Sequence, residues 1–254
     1  MNQQHKPWKI TLVGDGCIDN YVYGSVDRIS PEAPIPIFKE KYTDIKAGMI
    51  FNVSNNFKNL QCKPSQYTAN DKSIKTRYVD EKTNYQILRV DEDTNERIGD
   101  VKLIDTSSDA IVITDYNKGF LTYSDIEYLI RAGNELRIPV YIDTKKPDLS
   151  RFNGAYLKIN EDEYHNKTSP PDYHTTIITK GGKEVLWYGE SFPTSNIKVN
   201  DVCGAGDTFF AAFVKKHLDT KNISQSIKFA IKAAAITVQH MGVYAPTLEE
   251  IEND

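Results

Sequence analysis

Cysteine is scarce in this chain: Cys17, Cys62 and Cys203 are the only three among 254 residues, an odd number set far apart. That spacing excludes a disulfide framework and a zinc site and suits a reducing compartment. Long apolar runs are missing as well. No stretch approaches the roughly 20 residues of a membrane-spanning helix, and Met1 to Pro7 is polar, without the apolar segment of a secretory leader. No membrane association is expected, and a cytoplasmic location is. Neither charge is in large excess: 31 Lys and Arg stand against 35 Asp and Glu, a net −4, with no long run of one sign. Nucleic acid is thereby a poor partner, and any anionic ligand must be met by local basic clusters. Ser/Gly-rich linkers, repeats and low-complexity blocks are absent, so residues 1–254 read as one domain. Neither a Walker A sequence nor G-x-G-x-x-G occurs, which leaves a P-loop enzyme or a dinucleotide-binding dehydrogenase without motif support.

What is present suffices for one large core, with 39% hydrophobic residues and a mean hydropathy of −0.50. Short apolar runs at Ile10 to Val13, Ala110 to Thr114, Val140 to Ile142, Ala155 to Ile159 and Thr176 to Thr179 alternate with longer mixed segments. Buried strands joined by helices read this way, as in a mostly parallel α/β sheet covered on both faces. Helices are predicted over Gly48 to Leu60, Tyr123 to Leu136, Gly204 to His217 and Ser224 to Met241. In the last, Ile227, Ala230, Ile231, Ala234, Ala235 and Val238 share one face and Gly242 follows as a stop. A second group of short strands, Tyr21 to Val26, Ile35 to Tyr42, Thr76 to Asp80 and Tyr85 to Val90, interrupts the pattern and suggests a small separate sheet at about 20–42 and 75–90.

The most informative segment is Asp201-Val202-Cys203-Gly204-Ala205-Gly206-Asp207, running straight into Thr208-Phe209-Phe210-Ala211-Ala212-Phe213-Val214. Glycines flanking an alanine let backbone approach a ligand, and the apolar stretch behind them reads as a buried helix whose first amides point back into the loop. Such a helix start favours anions. A carboxylate at Asp207 could then accept the proton of an attacking hydroxyl while the amides of Ala205, Gly206 and Asp207 hold negative charge developing on a phosphoryl group. A Gly-rich turn with Asp207 as N-cap is the plainer alternative. Cys203 reads as a small packing residue rather than a nucleophile.

Asp-x-x-Gly-Ala-Gly-Asp-Thr-Phe resembles the C-terminal signature of the ribokinase-like (PfkB) carbohydrate kinases. Ile10 to Asp15, Cys17-Ile18-Asp19-Asn20-Tyr21 and the run Gly24 to Ile37, with Arg28-Ile29-Ser30-Pro31-Glu32-Ala33-Pro34 at its centre, resemble the opening of the D-glycero-D-manno-heptose 7-phosphate kinase domain. The resemblance extends from about Lys9 to Leu248. It implies a ribokinase-like fold with a small β-sheet lid over the sugar, ATP and Mg²⁺ as cofactors, a sugar phosphate as acceptor and a homodimer formed through the lid. Large apolar side chains at Tyr21, Tyr23, Ile35, Ile37 and Phe38, on a sheet too small to bury both faces, favour the same pairing.

Further roles follow from the resemblance. Asp19 would bind sugar hydroxyls, the alternative being a turn carboxylate satisfied by local backbone. The family's Gly-Gly-x-x-x-Asn corresponds to Ala47-Gly48-Met49-Ile50-Phe51-Asn52, so Gly48 and Asn52 would contact the sugar, with Ala47 in place of the first glycine reshaping the pocket. Lys75 and Arg77, leading into one lid strand, Arg89, ending its partner, Lys118 (in Asp115-Tyr116-Asn117-Lys118-Gly119) and Lys145 (in Asp143-Thr144-Lys145) would supply cations for the acceptor's phosphate. Asn160 and Glu163 match Asn-x-x-Glu and would organise magnesium, although Asn160 capping an acidic helix start explains the same residues. Thr179 and Gly182 would border the nucleotide, in a turn that also reads as a plain hairpin and brings Lys180 near, and Asp201 would join them on the nucleotide side. Two connections are short. Between Leu60 and Thr76 the family carries a strand, a helix and a strand, and between Glu163 and Ile177 a helix; a trimmed sheet missing at least one covering helix is expected, its exposed face polar or otherwise covered. A kinase for another sugar (fructose 6-phosphate or a nucleoside), and a binding protein that lost turnover when the chain was trimmed, are the alternatives.

Overall fold

The computed structural model describes residues 6–70, 73–94 and 96–253. The chain begins with β1 (Lys9–Gly14), β2 (Gly16–Ile29), β3 (Pro36–Met49), α1 (Ile50–Asn59), β4 (Lys63–Tyr67), β5 (Ser73–Asp80) and β6 (Gln86–Glu92). It continues with β7 (Ala110–Asp115), α2 (Tyr123–Leu136), β8 (Val140–Thr144), β9 (Tyr156–Asn160), α3 (Glu161–His165), β10 (Thr176–Thr179), β11 (Glu184–Trp187) and β12 (Glu190–Pro193). Three helices close the chain: α4 (Ala205–Thr220), α5 (Ile223–Thr237) and α6 (Leu248–Asn253).

Eight strands form one sheet in the order β12-β11-β10-β9-β8-β7-β1-β4, parallel from β4 to β10 and antiparallel at β11 and β12. The apolar runs that predict its central strands lie buried: every residue of β7, and Ile10 to Gly14 of β1. One face packs on α1, α4 and α5 through Phe57, Phe209, Phe210, Phe213 and Ile227. The other packs on α2 and two short 3₁₀ turns through Ile126, Leu129, Leu149 and Phe152. α2 spans the predicted residues, and its start is fixed by a capping box in which Thr122 and Asp125 bond each other's backbone amides.

The lid is a second sheet, β3-β2-β5-β6. Its strands are longer than the sequence suggests, since β2 begins at Gly16, directly after β1, and β3 runs on to Met49. The helix predicted from Gly48 therefore opens at Ile50. Met49 sits at the junction with φ 53°, a conformation that costs a non-glycine residue on the order of 1–3 kcal/mol. α5 ends at Thr237 rather than Met241 because the amides of Asn200 and Asp201 take the Val238 carbonyl (2.8 and 3.2 Å).

Both short connections are visible. The first retains β4, paired parallel with β1 at the sheet edge, and then passes through Thr68 to β5 with no helix among the described residues. The groove beside β4 is lined about equally by polar residues such as Gln66, Thr68, Asn70 and Arg97 and by apolar ones such as Phe51, Ile98, Leu103 and Phe120, so this face is not the polar one expected. The second is reduced to the single-turn α3 and a loop through Pro170 and Pro171.

Candidate active site

Two cavities open at the carboxyl end of the main sheet, where open α/β sheets bind ligands, and Gly206 lines both. α4 begins there. Gly204 caps it with φ 78°, a left-handed geometry that glycine adopts freely. The first i to i−4 bond runs from the Thr208 amide to the Gly204 carbonyl (2.9 Å), and the Ala205 amide is taken by the Val202 carbonyl (3.3 Å). Gly206 and Asp207 hold their amides in the first turn, ahead of that bond, where a helix offers donors to an anion. The Asp201 carboxylate braces this loop, accepting hydrogen bonds from the amides of Cys203 (2.9 Å) and Gly242 (2.8 Å). Asp201 thus acts on the cradle rather than lining either cavity.

Asp207 is half-buried and doubly anchored. Tyr116 donates its phenolic hydrogen to Oδ1 (2.5 Å) and Asn52 donates from Nδ2 to Oδ2 (2.8 Å). Burial raises its pKa above the ordinary carboxylate value, opposed by these two bonds and by Lys158 and Lys75. The carboxylate is thus held in one orientation by side chains, and Gly204, not Asp207, is the helix cap.

The cavity on the lid side, about 190 Å³, is lined by Asp19, Gly48, Asn52, Lys75, Arg77, Tyr116 and Asp207 among others. Asp19 is buried and ion-paired with Arg77 (2.6 Å). A Cβ on Gly48 would lie 2.1 Å from Asp19 Oδ2 and 2.4 Å from Cys17 Sγ, so only glycine fits. Ala47 is exposed on β3, outside this lining, and does not reshape the pocket. Burial pushes the Cys17 thiol up to about 12 and the Cys203 thiol to about 11, so neither is a thiolate at neutral pH.

The other cavity, about 330 Å³, has a polar end formed by Lys158, Asn160, Thr179 and Gly182 and an apolar end formed by Val199, Ile231, Ala234, Ala235 and Val238. Asn160 caps α3 in a reciprocal box with Glu163: Oδ1 accepts from the Glu163 amide (2.8 Å) and Glu163 Oε2 accepts from the Asn160 amide (2.7 Å). Lys145 completes the group, 2.8 Å from Glu163 Oε1. Capping and cavity lining therefore coexist at Asn160. Lys180 is paired with Glu184 (2.9 Å), which leaves Thr179 and the glycine turn as that strand's contribution. Lys158, nearly buried, pairs with Asp143 (2.7 Å), and its Nζ lies 3.4 Å from where a Gly206 Cβ would stand.

Of the five cations expected on the sugar side, Lys75 and Arg77 line the cavity. Lys75 comes through the alternation of β5, which places it two residues from Arg77 on the same face. Arg89 is turned to Asp91 (2.6 Å), Lys118 to Asp93 (2.5 Å) and Lys145 to Glu163. Lys118 and Lys145 follow strands as the sequence indicates, whereas Arg89 lies in the middle of β6 rather than at its end; in all three a nearby acid takes the charge. Two residues, Tyr116 and Lys158, reach the site without having been singled out for it. Tyr116 comes in the loop after β7, and Lys158 two residues ahead of Asn160; the motif Asp115 to Gly119 and the Asn160 to Glu163 stretch were the signals that border them.

Known structures share this architecture. Ribokinase from Arabidopsis thaliana, complexed with ribose and ATP, matches with a TM-score of 0.71 at 16% identity, over 98% of each chain. Phosphofructokinase-2 from Escherichia coli, in complex with potassium, matches with a TM-score of 0.73 at 14% identity, again over 98% of each. The fold is ribokinase-like. The family model for pfkB family carbohydrate kinases matches residues 71–251, and the chain belongs to that family. The bifunctional protein HldE of Campylobacter jejuni (strain RM1221) is 30% identical over 302 aligned positions, covering 98% of this chain. HldE of Helicobacter pylori (strain J99) is 28% identical over 302, covering 96%. The chain spans 65% of the length of these relatives. The alignments are longer than its 254 residues, as shortened connections require.

Proposed function

We propose that this chain transfers the γ-phosphoryl group of ATP to the anomeric hydroxyl of a sugar phosphate, with D-glycero-D-manno-heptose 7-phosphate the acceptor that its N-terminal sequence favours. The observation that carries this reading is the meeting of the two cavities at Gly206, with the Asp207 carboxylate beside it on the lid side. The apolar end of the larger cavity suits a nucleotide base, and its polar end, with Lys158 near the helix start, suits the phosphates. Asp207 takes the acceptor hydroxyl's proton, the first-turn amides hold phosphoryl oxygens, and Asp19, Gly48 and Asn52 hold the sugar. Lys75, together with the Arg77 donors that Asp19 does not take, faces the acceptor's own phosphate.

Magnesium fits as a partner of the nucleotide phosphates. Among the described residues no group of three or more His, Cys, Asp or Glu forms a cage. Glu163 is shared among Asn160 and Lys145, so Asn160 and Glu163 would reach the ion through water, as a cation that keeps most of its waters allows. When bound it neutralises phosphate charge. The three free thiols suit a cytoplasmic setting.

ADP release measured over a panel of sugar phosphates and free sugars tests the reading. Charge-assisted bonds from Lys75 and Arg77, about 1.5 to 3 kcal/mol each, predict kcat/KM for a sugar phosphate orders of magnitude above that for a free sugar. Comparable values for a free hexose or a nucleoside would contradict the phosphate requirement.

A further inference from the structure

Tyr116 is bound to the carboxylate at the centre of the site, yet nothing in the reaction outlined above uses it. We infer that Tyr116 is a positioning residue for the base: its phenol, seated on Asp207 Oδ1, fixes the carboxylate's orientation and supplies a hydrogen bond to its charged form. The inference rests on Asp207 being the base.

The loop that carries Tyr116 is held far more firmly than a strand-end loop requires. Asp15, at the end of β1, accepts hydrogen bonds from the amides of Tyr116 (2.7 Å) and Lys118 (3.4 Å). Asp115, fully buried, accepts from Thr144 Oγ1 (2.6 Å), Lys146 Nζ (3.3 Å) and the Asn117 amide (3.2 Å). Lys146 also donates to Asn117 Oδ1 (2.9 Å), pinning that residue in its left-handed conformation, φ 57°. The ends of three neighbouring strands, β1, β7 and β8, thus hold the loop 115–118, with Asp15 bonded directly to the Tyr116 amide. None of Asp15, Asp115 and Lys146 lines the two cavities, so the geometry they fix is delivered through Tyr116. Preorganisation of this kind is what keeps a catalytic group within a fraction of an ångström of its working position.

The surroundings keep the phenol protonated. Lys75 and Lys145 lie 5.8 and 5.6 Å from the ring centroid and help hold the ring in place, while burial and the neighbouring Asp207 carboxylate push the phenol's pKa well above its ordinary value, so Tyr116 remains a donor across the working pH range. The charged and titratable groups around Asp207 come from several elements: Lys75 of β5 and Lys158 of β9 favour its ionised form, while Asp143 of β8 and Cys17 of β2 border the same site. In the transfer step the acceptor's O–H bond breaks, its proton passes to Asp207, its oxygen forms the new bond to phosphorus, and ADP leaves with the electrons of the old one. Tyr116 gives up no proton.

The test compares pH profiles of kcat/KM for wild type, Tyr116→Phe and Asp207→Asn, with nucleotide affinity measured alongside. Losing a donor to the charged form raises the base's pKa, so Tyr116→Phe should move the acid limb up by about one pH unit and lower the plateau about tenfold, with wild-type nucleotide binding. A Tyr116→Phe profile that superimposes on wild type while Asp207→Asn is inactive would overturn the role of Tyr116 and leave the base standing. An Asp207→Asn enzyme as active as wild type would instead remove the base itself. Should Tyr116→Phe fail to fold, 3-fluorotyrosine at position 116, a stronger donor of nearly the same shape, should move the acid limb down; an unmoved limb would overturn the inference.

Discussion

Gly48 has no room for a methyl group, which would strike Cys17 Sγ and the carboxylate of Asp19, the residue proposed to hold the sugar. Gly48→Ala should displace Asp19 from Arg77, raising KM for the acceptor at least about tenfold and leaving KM for ATP unchanged, because loss of one buried charge-assisted bond is worth about that much; steady-state kinetics with each substrate varied checks this. His217 has a structural role of a different kind. It is buried against Phe213 and bonded through Nδ1 to the Tyr141 hydroxyl (2.8 Å), and burial lowers its pKa to about 4. The unfolded chain protonates His217 near pH 6.5 while the folded chain does not, so its contribution to stability is lost as pH falls from about 6.5 to about 4 and stays constant below. At about 1.4 kcal/mol per pH unit the loss approaches about 3 kcal/mol. Urea denaturation from pH 7 to 4 should show this slope in wild type and a shallower one in His217→Gln.

Individual elements were legible where the code is local. α2 combines helical periodicity with a capping box within four residues of sequence, and its bounds follow from that alone. Gly204, Gly206 and Asp207 are likewise neighbours in the chain, so the cradle could be read before any fold was known. β2 and β3 were read too short because the missed start of β2, Gly16 to Asn20, carries a glycine, Asp19 and Asn20, and the missed end of β3, Thr43 to Met49, carries Asp44, Lys46 and Gly48, residue types that are depleted in strands. Tyr116 and Asn52 reach Asp207 across 91 and 155 residues, contacts that only the order of the sheet creates. Lys118 and Lys145 show the converse: position after a strand marks the right end of the sheet but not which carboxylate claims the cation. The loop ahead of α4 gives a prediction at this scale. Asp201→Ala frees the amides of Cys203 and Gly242 that now fix the cradle; isothermal titration should show nucleotide affinity reduced about tenfold, the size expected for losing a charge-assisted bond that positions a site, and unchanged affinity would mean that the cradle holds its shape without Asp201.

At the scale of the whole molecule the lid has two unlike faces. Register pairs Asp19 with Lys75 and Tyr21 with Arg77 on the side that faces the sugar cavity, so Tyr21 belongs there and not to an outer contact. The opposite rows carry Ile45 opposite Asn20, Thr76 opposite Val90 and Tyr78 opposite Leu88, with Phe38 packed edge-on against Tyr78. Ile45 and Leu88 are 68% and 54% exposed, a cost that pairing two lids about a two-fold axis would relieve. Light scattering should find a dimer for wild type and a monomer for Ile45→Asp combined with Leu88→Asp; a wild-type monomer at micromolar concentration would count against pairing through the lid. The main domain lines the larger cavity, the lid and the main domain share the lining of the smaller one, and the start of α4 borders both. The most direct test of that arrangement is turnover by Asp207→Asn under saturating ATP and the best acceptor. ATP affinity should be preserved while kcat falls by a factor on the order of a hundred or more, and turnover at the wild-type rate would contradict the account.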